Sequence, residues 1–296
     1  MGVGSSTAQP SVTLVPVQGN VHLLTGAGVN VAVHVGKYGV LLVDTPAPAR
    51  LPAVMTEIRK LSPLPVRFVI NTSVNPEHVG GNAALAGPAA GRGAPFGFVG
   101  LNRASIIAHE NVLNRLANAQ PPTPAAALPT STYFQPTMDF SNGEAVILYH
   151  QSGHTDSDSL VLFRESDVIA TGAVFTPGRY PVVDVERGGS VQGLIAALTE
   201  ILALAVPDGF ASGGTLIVPG RGRISEETDV AEFRDMVVIV RDRIQNLAAK
   251  GQTLEQITKE RPSRDYDAEY GASQADADRF VESIYRSLTR KPGGRS

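Results

Sequence analysis

Residues 66–82 read VRFVI followed by NTSVNPEHVGGN, an apolar run passing directly into a polar loop that closes on Gly80, Gly81 and Asn82. So short a run reads as a buried strand. Ahead of it, LPAVMTEIRKL (51–61) places Leu51, Val54, Ile58 and Leu61 on one helical face. Before that come four short Val/Leu-rich runs, at 12–17, 21–26, 29–36 and 39–45, with Gly and Asn between them as in an antiparallel meander. Strand, helix, strand in this order specifies an α/β unit. The loop carries Ser73, Asn75, Glu77 and His78 out of the sheet, where many hydrolases hold metal ligands.

A second half repeats the style without repeating the letters. AVILYH (145–150), SLVLFRES (159–166), DVIATG (167–172) and TLIVPG (215–220) read as strands, and VQGLIAALTEILALAV (191–206) as an apolar helix. Val230, Phe233, Val237, Val240, Ile244 and Leu247 step by three and four along another helix, ended by Lys250-Gly251. TLEQ (253–256) and SQAD (273–276) look like the caps of two more helices. Two strand-rich halves, each backed by helix, make a sandwich of sheets covered on the outside. The Pro-dense stretch 118–137 is too long for a simple connector and reads as a lid, a binding loop or simply a mobile segment.

Composition narrows the chemistry. Lys and Arg number 25 against 28 Asp and Glu, a net charge of −3, which argues against nucleic acid as a partner. The absence of cysteine removes disulfides, thiolate metal sites and a Cys nucleophile. No apolar run approaches the roughly 18–20 residues that span a bilayer, so no membrane role is expected. The opening MGVGSSTAQPSV lacks the basic and apolar regions of a signal peptide, which leaves the compartment open.

Five pieces in order give the sequence a family resemblance: LLVDT (41–45), NTSVNPEHVGGN (71–82), SGHTDSDS (152–159), ATGAVF (170–175) and VPGRGR (218–223). The chain resembles the metallo-β-lactamase-fold hydrolases over roughly residues 12–290. The resemblance implies an α/β protein, a four-layer αβ/βα sandwich forming one domain over 12–290, with flexible tails at 1–11 and 291–296. It also implies zinc, and hydrolysis of a lactam, lactone, ester, thioester or phosphodiester by a metal-bound hydroxide. The first zinc would take His at positions 73, 75 and 154, where this chain has Ser73, Asn75 and His154. The second would take ligands at 77, 78 and 221, here Glu77, His78 and Arg221, and the bridging carboxylate position is Ala173.

Catalytic zinc needs about three protein ligands and an open position for water. Ser and Asn are neutral oxygen donors and poor substitutes for imidazole. Arg221 is permanently charged and cannot coordinate a cation, but it can pair bidentately with Glu77 and replace some of the lost positive charge. Ala173 fits the same account, since a bridging carboxylate without metals would be an uncompensated buried anion.

The expected function is therefore a metal-free pseudoenzyme that keeps a small-molecule cleft at the sheet edge. The alternative is an active hydrolase, with a single weak metal at Glu77, His78 and His154 or with a metal-free His/Arg site. Candidate catalytic groups are His78, His154 and Arg221, with His as general base and Arg221 stabilising an oxyanion. Asp44, Ser73, Asn75, Glu77, Asp156 and Ala173 are expected to line the cleft, Asp44 in a supporting or turn-capping role. His109 and Glu110 read as capping or surface residues on a helix, and Ser157 and Ser159 as structural, because no Gly-x-Ser-x-Gly elbow surrounds them. No cofactor is expected, and a homo-oligomer is left open.

Overall fold

The computed structural model describes residues 10–86, 104–209, 213–271 and 273–290. The tails expected at 1–11 and 291–296 lie, apart from residues 10 and 11, outside the described residues. Among those described, seven strands form one sheet: β1 (Thr13–Gln18), β2 (Val21–Thr25), β3 (Val31–Gly36), β4 (Gly39–Val43), β5 (Val66–Asn71), β6 (Ser105–His109) and β7 (Ser131–Tyr133), in that spatial order. The first four pair antiparallel, as the Gly- and Asn-punctuated meander requires, and β4 to β7 pair parallel. The switch follows from α1 (Leu51–Leu61), a crossover helix with Pro in its first turn that returns the chain beside β4.

Five strands form the second sheet: β8 (Thr137–Ser141), β9 (Glu144–Gln151), β10 (Asp158–Phe163), β11 (Val168–Gly172) and β12 (Leu216–Pro219), in the order β12-β11-β10-β9-β8. The helices are α2 (Pro76–Val79), α3 (Asn82–Leu85), α4 (Glu110–Ala117), α5 (Val191–Leu204), α6 (Glu227–Ala249), α7 (Leu254–Glu260), α8 (Asp267–Tyr270) and α9 (Gln274–Thr289). Thr253 and Ser273 cap α7 and α9 as the sequence signals.

Three apolar layers separate the elements. Leu23, Leu41 and Ile70 of the first sheet meet Leu148, Phe163 and Val168 of the second. Val54 and Ile58 of α1 cover the first sheet's outer face against Leu42, Val69 and Ile106. Leu198 of α5, Phe233 and Val237 of α6 and Phe280 of α9 cover the second sheet's outer face. The result is the four-layer αβ/βα sandwich. Each such side chain contributes about 1.5–3 kcal/mol by leaving water.

The two sheets are also joined by polar contacts at both ends. At one rim Asn30 donates from its backbone to Gly220 O (2.8 Å) and from its side chain to Pro219 O (2.9 Å). At the opposite rim Glu144 Oε1 lies 2.8 Å from His34 Nε2, both side chains buried. Asn142 Nδ2 there donates to Gly39 O (3.0 Å), and Tyr38 N donates to Asn142 Oδ1 (3.1 Å).

In the middle of the chain His109 has a capping role: it ends β6, is buried, and caps α4 by accepting from Asn111 N at 3.3 Å, while Glu110 lies exposed in that helix's first turn. Within 118–137 lie a 3-10 turn, Ala125–Ala127, and β7, so the Pro-rich stretch carries the edge strand of the larger sheet. No helix among the described residues is long and apolar enough to cross a membrane.

Candidate functional site

Parallel pairing of β4 with β5 brings their C-terminal ends to one rim, and Asp44 meets the loop after β5 there. Asp44 has a left-handed backbone, φ 68°, which turns its carboxylate back over the sheet edge. It accepts from Thr72 N (2.7 Å) and Thr72 Oγ1 (2.6 Å), and lies 2.7 Å from His78 Nδ1. All three residues are buried. Burial by itself favours neutral His78, but the Asp44 carboxylate outweighs it and raises the His78 pKa above the ordinary 6.5. Two glycines permit this packing. A Cβ on Gly172 (φ 53°) would stand 2.2 Å from Thr72 Oγ1, and one on Gly220 would stand 3.0 Å from His78 Cε1. His78, a catalytic candidate from the sequence, is thus a walled-in partner of Asp44, 1% exposed.

The ion pair expected between Glu77 and Arg221 is present. Arg221 Nη2 donates to Glu77 Oε2, and Arg221 Nε to Glu77 Oε1 at 3.3 Å. Partial burial acts to raise the Glu77 pKa, but Arg221 prevails and holds the carboxyl below its usual range. With the side chains 41% and 40% exposed, the pair adds no more than about 1 kcal/mol to stability. Its consequence is electrostatic placement: a guanidinium occupies the position where the resemblance puts a zinc ligand.

His154 reaches the same rim on the turn between β9 and β10. A Cβ on Gly189 would come within 2.1 Å of its carbonyl oxygen, so glycine lets the neighbouring loop brace it. His154 Nδ1 lies 2.7 Å from Val182 O, and because a carbonyl only accepts, Nδ1 carries the proton. Nε2 lies 2.7 Å from Asn75 Nδ2, and Asn75 Oδ1 accepts from Arg187 Nη1 at 3.1 Å. A directed chain results, from Arg187 through Asn75 and His154 to Val182. The imidazole lone pair a metal would use already takes the Asn75 amide hydrogen. Arg187 was not singled out from the sequence, because it lies 112 residues from Asn75 in no recognisable motif.

The remaining candidates divide. Ala173 lines the same cleft as Asn75, Glu77, His154 and Arg221. Ser73 is fully buried, and its Oγ has no hydrogen-bond partner among the described residues. Asp156 faces away from His154: both carboxylate oxygens accept from Arg115 at 2.6 Å, on the wall of a different cleft. The carboxylate that does lie inward is Asp158, held by Thr155 N (2.9 Å) and Thr155 Oγ1 (2.8 Å). Burial pushes its pKa up while His154 pulls the other way. Ser157 and Ser159 are structural: Ser157 Oγ accepts from Val74 N at 3.3 Å, and Ser159 Oγ from the Tyr133 hydroxyl at 2.5 Å.

These residues do not fit zinc. Among the described residues no three His, Asp or Glu side chains converge as a metal site. Ser73 and Asn75 are weak donors, Ala173 is none, and Arg221 both repels a dication and engages Glu77.

Two clefts flank the rim. One of about 630 Å³ opens over His154, Ala173 and Arg221 toward α8 and α9. The other, about 900 Å³, lies between α4 and residues 118–127, with Asn111, Arg115 and Arg187 on its wall. The Arg187–Asn75 hydrogen bond stands between them.

A scan against protein-family models finds no match for the sequence, and a search of curated proteins finds none either. The fold does match solved structures. It is similar to a metallo-β-lactamase from Pontibacter korlensis (TM-score 0.58, 14% identity, 77% of this chain and 99% of that one). It is also similar to the stereoselective inverting sec-alkylsulfatase Pisa1 from Pseudomonas sp. (TM-score 0.68, 15% identity, 94% of this chain and 50% of that one). The DIM-1 metallo-β-lactamase gives TM-score 0.57 at 15% identity, over 77% of this chain and 98% of that one. The chain thus spans nearly the whole of the lactamases but half of the alkylsulfatase, and at these identities the likeness shows the fold.

Proposed function

From the premise that this chain has the metallo-β-lactamase fold, we propose that it is a metal-free pseudoenzyme that binds a small molecule in the cleft over His154 and Arg221. The Glu77–Arg221 ion pair carries this reading, because it puts a fixed cation where the fold's zinc ligands would gather and engages the carboxylate that would join them. Ala173 and the Asn75–His154 contact support it, each removing or occupying a ligand. Hydrolysis without metal finds less support. His78 is buried against Asp44, and His154 would have to release Asn75 before its Nε2 could act as a base.

Metal analysis of protein purified without chelator, combined with a turnover panel of a lactam, a lactone, a thioester, an ester and a phosphodiester, tests the proposal. The expected outcome is substoichiometric zinc and no turnover above buffer. Near-stoichiometric zinc that disappears in Glu77→Ala and His154→Ala variants, or turnover of any panel member, would defeat it.

A further inference from the structure

The cleft over His154 has an uneven supply of donors and acceptors. Two of its three acidic side chains are engaged by arginines, Glu77 by Arg221 and Asp276 by Arg279, while Glu269 is exposed. His154 has no acceptor to spare, since Nδ1 donates to Val182 O and Nε2 already accepts from Asn75. The donors are not used up. Arg221 spends Nε and Nη2 on Glu77, which leaves its Nη1 edge. Arg179, on the same wall, is exposed, and its guanidinium has no carboxylate or carbonyl partner among the described residues. Thr176 Oγ1, also on the lining, is buried without a partner there.

A cavity of about 630 Å³ with two guanidinium edges left unpaired on its lining selects a ligand that brings acceptors. Two guanidinium edges suit a planar or tetrahedral oxyanion, which they can grip through paired hydrogen bonds. Beside them, Ala173, Pro181 and Val182 give an apolar flank, with Val182 62% exposed. We infer that the cleft binds a small organic oxyanion, a carboxylate, phosphate or sulfate head held by Arg179 and the free edge of Arg221, with an apolar body against Pro181 and Val182. This rests on the metal-free reading of the site, because a zinc ion would supply the positive charge instead.

Titration calorimetry on the full chain tests it, with benzoate, phenyl phosphate and phenyl sulfate as probes, benzyl alcohol as the neutral control, and zinc measured in the same batch. At least one anion is expected to bind tenfold or more tighter than benzyl alcohol, and its affinity should fall as salt is added. Arg179→Gln, at an exposed position, should keep the melting temperature and weaken that anion at least fivefold. Comparing the three heads distinguishes carboxylate from phosphate and sulfate. Equal binding of the neutral control, or unchanged anion binding in Arg179→Gln, would overturn the inference. Near-stoichiometric zinc in the batch would defeat the metal-free reading, while loss of binding in Arg179→Gln would still locate the anion, so the two failures are separable.

Discussion

Asp44 and His78 show how a single charge can hold a buried loop. Replacing Asp44 with Asn leaves Thr72 and His78 in place but removes the anion that stabilises a buried imidazolium. Breaking one partner of such a pair costs about 3 kcal/mol. The sign of the pH dependence follows from the raised His78 pKa. The stabilisation is fully present below the ordinary 6.5 and is lost as pH rises through the folded-state value. Chemical denaturation of wild type and Asp44→Asn should therefore show a gap widest just below pH 6.5 that narrows at alkaline pH. A gap that widens with pH would mean the dyad is held as neutral imidazole. At this level the sequence was informative where charge decided the outcome. Glu77 and Arg221 were expected to pair because the guanidinium can replace part of the positive charge a zinc ion would supply, and they do. Asp156 was expected to line the cleft because it lies two residues past His154; it sits in the turn before β10, where Arg115 takes both its oxygens, and the buried carboxylate is Asp158, the first residue of β10, held by Thr155.

Among the elements, legibility followed periodicity. The helical steps at Val230, Phe233, Val237 and Val240 give α6, whose buried face includes all four residues. β6, β7 and β8 are three to five residues long and, unlike the equally short β2 and β4, border or lie within a Pro-rich segment whose composition reads as loop. The α6 face carries a stability prediction. Phe233 is 1% exposed and meets Phe175 edge-on at 5.2 Å, so Phe233→Ala should cost about 3–5 kcal/mol. Urea denaturation should show this as a lower midpoint with an unchanged slope. A loss under about 1 kcal/mol would show that α6 packs more loosely than its burial implies.

For the molecule as a whole, the order of five motifs made the architecture readable, while the loop contents and contacts between distant loops fixed the chemistry. The Arg187–Asn75 bridge belongs to the second kind, since it depends on where two loops fall in space. The rims extend this to motion. Asn30 ties the first sheet to Pro219 and Gly220 on the site side, and His34–Glu144 with Asn142 ties the sheets on the far side. Amide hydrogen exchange with and without a bound anion should change in the loops 72–82 and 173–182 and leave β9, β10 and β11 unaltered. Altered exchange in those strands would show the sheets moving apart. In mechanical terms, a plate pair bolted along both edges cannot open like a clamshell; whatever enters this cleft must be admitted by the rim alone.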